Sequence, residues 1–130
     1  MAQFVLLHHD WPGHGERSSH CDLMLEADGV LRTWALAKLP RDWAALATGA
    51  IAASDDNLVA AEALGDHRLA YLDYEGPLTG DRGTVRRLDC GDLNFVENAA
   101  DVCIAELAGC MIRGTIELRR SNGNWSLALR

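Results

Sequence analysis

Polar and apolar side chains alternate along residues 20–26. Because successive side chains of a β-strand point to opposite faces, the alternation predicts a strand with one polar and one apolar face. A histidine and a carboxylate then lie side by side on the polar face, which is typical of a metal site or an acid–base pair. A simple hydrogen bond between the two on a solvated sheet face is the alternative. The polar face carries His20, Asp22, Met24 and Glu26, and the apolar face carries Cys21, Leu23 and Leu25.

Short apolar or alternating runs recur along the rest of the chain, separated by clusters of Gly, Pro, Asn and Asp. Asp28-Gly29 and residues 121–124 are hairpin signals between such runs. Residues 58–64 are ambiguous between helix and strand, and a helical turn or two is predicted between Asp42 and Gly49. A turn is predicted at 89–92. The predicted strands are 4–9, 20–27, 30–37, 68–74, 84–88, 93–97, 102–107, 111–119 and 125–129.

Many short strands at regular spacing predict a mainly-β fold, and we expect a closed β-barrel of about six to eight mostly antiparallel strands with one or two short helices. The length of 130 residues fits one domain, so residues 1–130 are expected to form a single barrel domain. No apolar run approaches the roughly 20 residues of a membrane span. The N-terminal segment lacks a basic n-region, so we predict no signal peptide and expect a cytoplasmic protein.

The cysteine spacing and the net charge argue against some classes of function. The four cysteines are scattered without a Cys-x-x-Cys pair, which argues against a zinc ribbon or a thioredoxin-like site. The net charge of −7 argues against a broad nucleic-acid footprint, because such a surface needs clustered Lys and Arg. An enzyme that binds one phosphate group or one strand end remains compatible with this charge. Basic residues cluster locally at Arg82, Arg86 and Arg87 and at Arg113, Arg119 and Arg120.

The histidines are unevenly distributed, since four of the five lie within thirteen residues. Two imidazoles and one carboxylate form a common mixed site for Zn²⁺, Mn²⁺ or Fe²⁺. His9 ends one predicted strand, and it would meet His20 and Asp22 if the two strands pair. The alternative is that the histidine-rich loop is solvated and incidental. The four histidines are His8, His9, His14 and His20.

Further candidates lie downstream. His67 is followed by Arg68, and the pair suits a general acid or a phosphate ligand, although a surface histidine before a strand is an equal alternative. The glycine-rich residues 75–83 would bring backbone N–H groups near an anion, with Arg82 as a side-chain donor, or would simply form a tight loop. Lys38 is a candidate phosphate ligand or an ordinary surface lysine. No Walker loop, Gly-x-Ser-x-Gly or His-Glu-x-x-His motif is present, so a metal-activated water is the expected nucleophile of any hydrolysis.

Two longer strings together resemble a known family. Residues 20–35 read His-x-Asp-x-x-Leu-Glu-x-Asp-Gly-Val-Leu-x-x-Trp-Ala, and residues 66–76 read Asp-His-x-x-x-Tyr-x-Asp-aromatic-Glu-Gly. With 4–9, 83–85 and 89–91, they resemble the 3′-phosphoesterase domain of bacterial DNA ligase D, which also occurs as a stand-alone protein. The resemblance covers most of the chain and is weakest between Pro40 and Gly65.

The resemblance implies a compact β-barrel that trims ribonucleotides and 3′-phosphates from the 3′ ends of primer strands. It implies a divalent metal, Mn²⁺ in this family with Zn²⁺ as the other option, and a phosphoester substrate such as a DNA or RNA 3′ end. DNA-repair proteins are the implied partners. The implied metal ligands are His9, His20 and Asp22. The residues implied at the phosphate are His67, Tyr71 beside it, and Lys38, which matches a family lysine.

Two arginines of the family are replaced in this chain. Met24 stands where the family has one, and Val59 is near the place of the other. Charge-assisted hydrogen bonds contribute roughly 1.5–3 kcal/mol each, so losing both weakens phosphate binding unless other arginines compensate. Arg68 and Arg82 are the candidate replacements. The alternative function is therefore a divergent, non-catalytic barrel that binds a metal or a ligand.

The loop between the first two strands is longer than in the family. This length leaves His8 and His14 as alternatives to His9 for the third metal ligand.

Overall fold

The computed structural model describes residues 1–12, 18–49 and 51–130, so His14 lies outside the described residues. Within these ranges the regular secondary structure is mainly β-strand, with two short 3₁₀-helices. The strands are β1 (Gln3–Asp10), β2 (His20–Ala27), β3 (Val30–Leu36), β4 (Lys38–Leu39), β5 (Ala52–Ala53), β6 (Leu58–His67), β7 (Gly76–Pro77), β8 (Thr84–Asn98), β9 (Val102–Gly109), β10 (Arg113–Ser121) and β11 (Asn124–Leu129). The helices are η1 (Arg41–Leu46) and η2 (Leu69–Leu72).

Eight of these strands close into an antiparallel barrel. Their order is β1-β2-β3-β6-β11-β10-β9-β8, and β8 pairs back onto β1 to close it. The short strand β7 adds to the outside of β8, while β4 and β5 form a separate parallel pair. The predicted fold class is confirmed, including the two short helices. No helix in the described ranges is both long and apolar enough to span a bilayer.

Side chains at alternate positions fill the barrel, as closure requires. We call these interior side chains the main core. The apolar stripe predicted for β2, formed by Cys21, Leu23 and Leu25, lies in it. The Trp34 and Trp125 rings meet edge to face there, with centroids 5.3 Å apart. Trp43 of η1 packs against the same core, so the predicted helical turns exist in 3₁₀ form and contribute a buried aromatic ring.

A second, smaller apolar cluster, the outer cluster, lies on the outer face of β1, β2 and their neighbours. The segment 71–78, which includes the end of η2, covers this cluster. The strand β1 is therefore buried on both faces, which explains why 4–7 is a continuous apolar run rather than an alternating one. The members of the cluster are Val5, Leu7, Met24, Leu31 and Val85, with Tyr71, Leu72, Leu78 and Cys90 packed against them.

The predicted strand at 68–74 is wrong. The strand β6 continues through Gly65 and Asp66 to His67, and the chain then forms η2. A short apolar run cannot be assigned to strand or helix from periodicity alone, and here Tyr71 and Leu72 pack on the outer cluster from a helical turn. The ambiguous segment 58–64 is strand.

The predicted turn at 89–92 is also wrong, because β8 runs through it without a break. A β-bulge shifts the register at this point, because Leu6 pairs with Asp89 whereas Leu7 pairs with Arg87. Gly91 is needed for close approach, since a Cβ there would lie 2.1 Å from the Ala108 carbonyl oxygen. Polar and glycine residues that resemble a turn thus have packing roles inside a strand.

Asp89 ties β8 to the turn between β9 and β10. Its carboxylate is 5% exposed and accepts four backbone N–H groups. Oδ1 accepts from Cys90 and Cys110, and Oδ2 accepts from Met111 and Ile112, at 2.7–3.0 Å. A carboxylate offers enough lone pairs for all four, whereas an amide offers only one acceptor oxygen.

The variant Asp89→Asn is expected to lower the free energy of unfolding by about 3 kcal/mol, because an amide NH₂ would face two buried N–H donors. Urea denaturation followed by far-UV circular dichroism measures the change. Asp92→Asn, on the same strand but exposed, is the matched control and should change stability by less than about 0.5 kcal/mol. Equal stability of the two variants would contradict the bracing role.

Candidate metal centre

The pairing of β1 with β2 creates the centre of the site. His9 lies directly opposite His20 in the antiparallel register. Asp22 follows two residues later on the same outer face of β2. The three residues are buried, with exposures of 8%, 5% and 3%, so their polar atoms are largely withdrawn from solvent.

The potential ligand atoms of these three residues converge within 4.8 Å of one another. His9 Nδ1 lies 3.4 Å from Asp22 Oδ2, and His20 Nε2 lies 3.1 Å from Asp22 Oδ1. Ligand atoms about 2.0–2.1 Å from a tetrahedral Zn²⁺ would be about 3.3 Å apart, so these spacings suit a shared cation. The predicted grouping of His9, His20 and Asp22 is confirmed as a spatial cluster.

Backbone carbonyls fix the orientation of both rings. His9 Nε2 lies 2.7 Å from the Arg82 carbonyl oxygen, and His20 Nδ1 lies 2.8 Å from the Ser18 carbonyl oxygen. A carbonyl oxygen only accepts, so each of these nitrogens carries a hydrogen. In the neutral rings the other nitrogen, His9 Nδ1 or His20 Nε2, is a lone pair aimed at Asp22. Metal-binding histidines are typically oriented in this way by a carbonyl or carboxylate behind the ring.

Hydrogen-bond acceptors therefore face one another at the centre of the site. Two imidazole lone pairs face one carboxylate in a buried space, and within the described ranges Asp22 Oδ1 has no hydrogen-bond partner. A proton on either ring, or a cation between the rings and the carboxylate, would stabilise such an arrangement. The donor set of two nitrogens and one oxygen fits a divalent metal ion and completes all three groups at once.

The carboxylate between the two rings carries a negative charge. Burial raises the pKa of Asp22, but hydrogen bonding and positive charge from His20 and His9 outweigh this effect and place the pKa below its ordinary value. Asp22 is thus ionised at neutral pH. Either ring can donate to it only as an imidazolium, because its other nitrogen is already bonded to a carbonyl.

A cavity of about 180 Å³, the metal-centre cavity, opens over these residues. His67 and Tyr71 line it, with their ring centroids 5.6 Å apart in an edge-to-face contact. His67 Nδ1 donates to the Gly65 carbonyl at 2.8 Å, so Nε2 is the ring nitrogen left for a ligand. The lining is completed by His9, Trp11, His20, Asp22, Met24, Leu64, Leu78, Arg82 and Val85.

The remaining predicted residues are distributed unevenly around this cavity. Arg82 lines it, whereas Arg68 lines an adjoining cavity together with Tyr71 and Arg82. Lys38 is exposed on β4 and is absent from the lining of both cavities. His8 points to the opposite face of β1 from His9 and is not part of the cluster.

Positions 24 and 59 have different surroundings. Met24 is 1% exposed and lines the metal-centre cavity, so an arginine there would point at the metal centre. Val59 packs in the main core instead, where a guanidinium has no access to the cavity.

Sequence reasoning missed several contributors. Trp11 covers His9, with ring centroids 4.9 Å apart, and the only signal was an aromatic residue at the start of the histidine-rich loop. Leu78 was hidden in the glycine-rich segment. The orienting carbonyls of Ser18, Gly65 and Arg82 have no sequence signature, because every residue carries a carbonyl.

No protein-family model matches the chain, and no curated protein matches it.

The variant His20→Ala is expected to weaken Mn²⁺ or Zn²⁺ binding by at least about 100-fold, because it removes one of three ligands. Isothermal titration calorimetry on chelator-treated protein measures the affinity. His8→Ala is the matched control, because it removes the neighbouring histidine on the opposite face, and it should bind like the parent protein. Affinity should fall below about pH 6.5, where free imidazole is protonated. Equal affinity of the two variants would exclude this centre.

Proposed function

We propose that the chain is a metal-dependent phosphoesterase related to the 3′-phosphoesterase domain of bacterial DNA ligase D. Its proposed reaction is the removal of a 3′-phosphate or a 3′-ribonucleotide from a nucleic-acid end. The observation that carries the proposal is one cavity that is lined both by the buried acceptor cluster of His9, His20 and Asp22 and by the pair of His67 and Tyr71. The resemblance expects these five residues to act together.

A divalent ion held by His9, His20 and Asp22 would supply Lewis-acid polarisation of a phosphoryl oxygen and would lower the pKa of water. Mn²⁺ is our choice on the resemblance alone, since the two-imidazole, one-carboxylate donor set suits Zn²⁺ and Fe²⁺ as well. The carbonyls of Ser18 and Arg82 keep the two histidines in the tautomers that a cation requires.

His67 is the proposed proton donor and phosphate ligand. Its Nδ1–H is held by the Gly65 carbonyl, so only Nε2 exchanges a proton with a ligand in the cavity. As an imidazolium it donates to a phosphoryl oxygen, or to the oxygen that leaves when the ester bond breaks. The Tyr71 ring packs edge-on against the imidazole and limits its rotation.

The walls of the metal-centre cavity are partly apolar. Met24, Leu64, Leu78 and Val85 contribute apolar side chains, and Trp11 covers His9. A low local dielectric strengthens the attraction between cationic groups of the chain and a phosphate. The cavity therefore favours an end group that fits inside it over the middle of a strand.

The cellular setting is an extension of the same proposal. A DNA-repair role, DNA-repair partners and a cytoplasmic location are proposed because of the resemblance, and they depend on it. Lys38 is kept as a proposed phosphate contact only for a substrate that extends beyond the metal-centre cavity, because the side chain is exposed outside it.

A second candidate function is a metal- or ligand-binding barrel without catalysis. Met24 favours it, because this buried residue puts a thioether in the cavity where the resemblance expects a phosphate-binding arginine. Stoichiometric metal binding without turnover would identify this case.

Purified protein should release phosphate or ribonucleotide from primers that carry these groups at the 3′ end, with Mn²⁺ or Zn²⁺ but not without metal. His67→Ala should lower kcat by about 10²- to 10⁴-fold, because it removes the proton donor, and should leave metal affinity unchanged. His8→Ala serves as the control with unchanged kcat. No metal-dependent release from either primer would reject the phosphoesterase.

The variant Met24→Arg separates the two candidates if the parent protein binds metal without turnover. A guanidinium at this position should introduce measurable turnover, because it supplies the missing phosphate ligand. It should also lower the melting temperature, since Met24 packs against Val5, Leu7 and Val85. Met24→Leu is the control for packing and should introduce no turnover. Continued inactivity of a folded Met24→Arg protein would favour the binding function.

A further inference from the structure

A second cavity of about 220 Å³ adjoins the metal-centre cavity. We name it the arginine cavity, after Arg68 and Arg82, which line it together with Tyr71, Tyr74 and Thr79. Tyr71, Leu78 and Arg82 line both cavities, so the two are contiguous. Each alone is smaller than the roughly 300 Å³ typical of small-molecule sites, whereas the two together exceed it.

The arginine cavity is positively charged in a chain that carries a net charge of −7. No carboxylate lines it, and within the described ranges neither Arg68 nor Arg82 forms an ion pair. Among the described residues, Arg41, Arg119, Arg120 and Arg130 form ion pairs. In the same part of the chain, Arg32, Arg86, Arg87 and Arg113 form none either, and Arg68 and Arg82 differ from these because both line one cavity that no carboxylate lines. Two uncompensated guanidinium groups that face one cavity are the charge pattern of an anion site.

Arg82 is held in place before any ligand arrives. Its Nε donates to the Thr79 carbonyl at 2.7 Å, and its Nη2 donates to the Thr79 hydroxyl at 3.1 Å. A guanidinium has five N–H groups, so three remain for a ligand. The same residue accepts from His9 through its own carbonyl, which places the arginine cavity directly beside the metal centre. Fixing the side chain in advance reduces the entropy lost on binding.

We infer that the arginine cavity binds a phosphate group distinct from the one that reaches the metal centre. A phosphate monoester carries about −1.5 to −2 charge and three acceptor oxygens, which matches two guanidinium groups better than a carboxylate does. Arg68 lines the arginine cavity and not the metal-centre cavity, so it serves this second group. The group is either a second phosphate of the substrate, which rests on the proposed function, or free inorganic phosphate, which does not.

The first test measures equilibrium binding and needs no turnover. Inorganic phosphate is titrated by calorimetry into chelator-treated protein, and saturable binding is expected. Arg68→Gln should weaken it by at least about 10-fold, while Arg68→Lys should retain most of it. Arg41→Gln, an exposed arginine on η1, and His20→Ala, at the metal centre, should both bind like the parent protein. Absence of saturable binding, or binding lost in His20→Ala but kept in Arg68→Gln, overturns the inference.

The second test identifies the source of the phosphate. With Mn²⁺ present, kcat/KM is compared for a nucleoside 3′-phosphate and for a dinucleotide 3′-phosphate, which carries one additional phosphodiester. A loss of about 10-fold in Arg68→Gln for the dinucleotide alone, mainly in KM, supports a second substrate phosphate. If Arg68→Gln has the same kcat/KM as the parent protein for both compounds but no longer binds inorganic phosphate, the anion site is supported and its ligand is free phosphate. No turnover of either compound rejects the phosphoesterase and leaves the equilibrium result to decide the anion site.

Discussion

The register between β1 and β2 is the constraint on which the site depends. His9 and His20 face each other because Leu6 pairs with Leu23 further along the same ladder. A slip of one residue would turn every side chain of one strand to the opposite face and would bury the histidines in the barrel. The main core holds the register by accepting Leu6 and Leu23, so the packing that stabilises the barrel also determines the position of the acceptor cluster.

The site is formed as much by main chain as by side chains. Three histidines converge on the metal-centre cavity, and a backbone carbonyl orients each of them: Arg82 for His9, Ser18 for His20 and Gly65 for His67. The Arg82 carbonyl belongs to the loop between β7 and β8, whose approach to β1 requires a glycine. A Cβ on Gly83 would lie 1.9 Å from the Asp10 carbonyl oxygen. Gly83 therefore allows the close packing that places the Arg82 carbonyl behind His9.

Sequence reasoning found what depends on local pattern and missed what depends on long-range packing. Alternation in 20–26 predicted the faces of β2 and placed His20 beside Asp22, since strand geometry fixes where alternate side chains point. The addition of His9 to this group depended on the pairing of the first two strands, which the structure shows. The interpretation of 68–74 as a strand failed, because the outer cluster that stabilises η2 is assembled from distant strands. The interpretation of 89–92 as a turn failed because the Asp89 carboxylate is bound by N–H groups about twenty residues away, which no local window contains.

The acidic chain and a phosphate substrate are compatible because the relevant charges act at short range. Interactions between exposed charges are largely screened beyond about 8–10 Å at physiological salt, so the net charge of −7 opposes a long polyanion on the surface more than one end group in a cavity. Under the proposed function, a divalent ion supplies positive charge where Met24 lacks it, and Arg68 and Arg82 supply it one cavity further along. Under the same proposal, binding confined to one or two phosphates would release few counterions, so its salt dependence would be shallow, and recognition would rest on the fit of the strand end rather than on a basic surface.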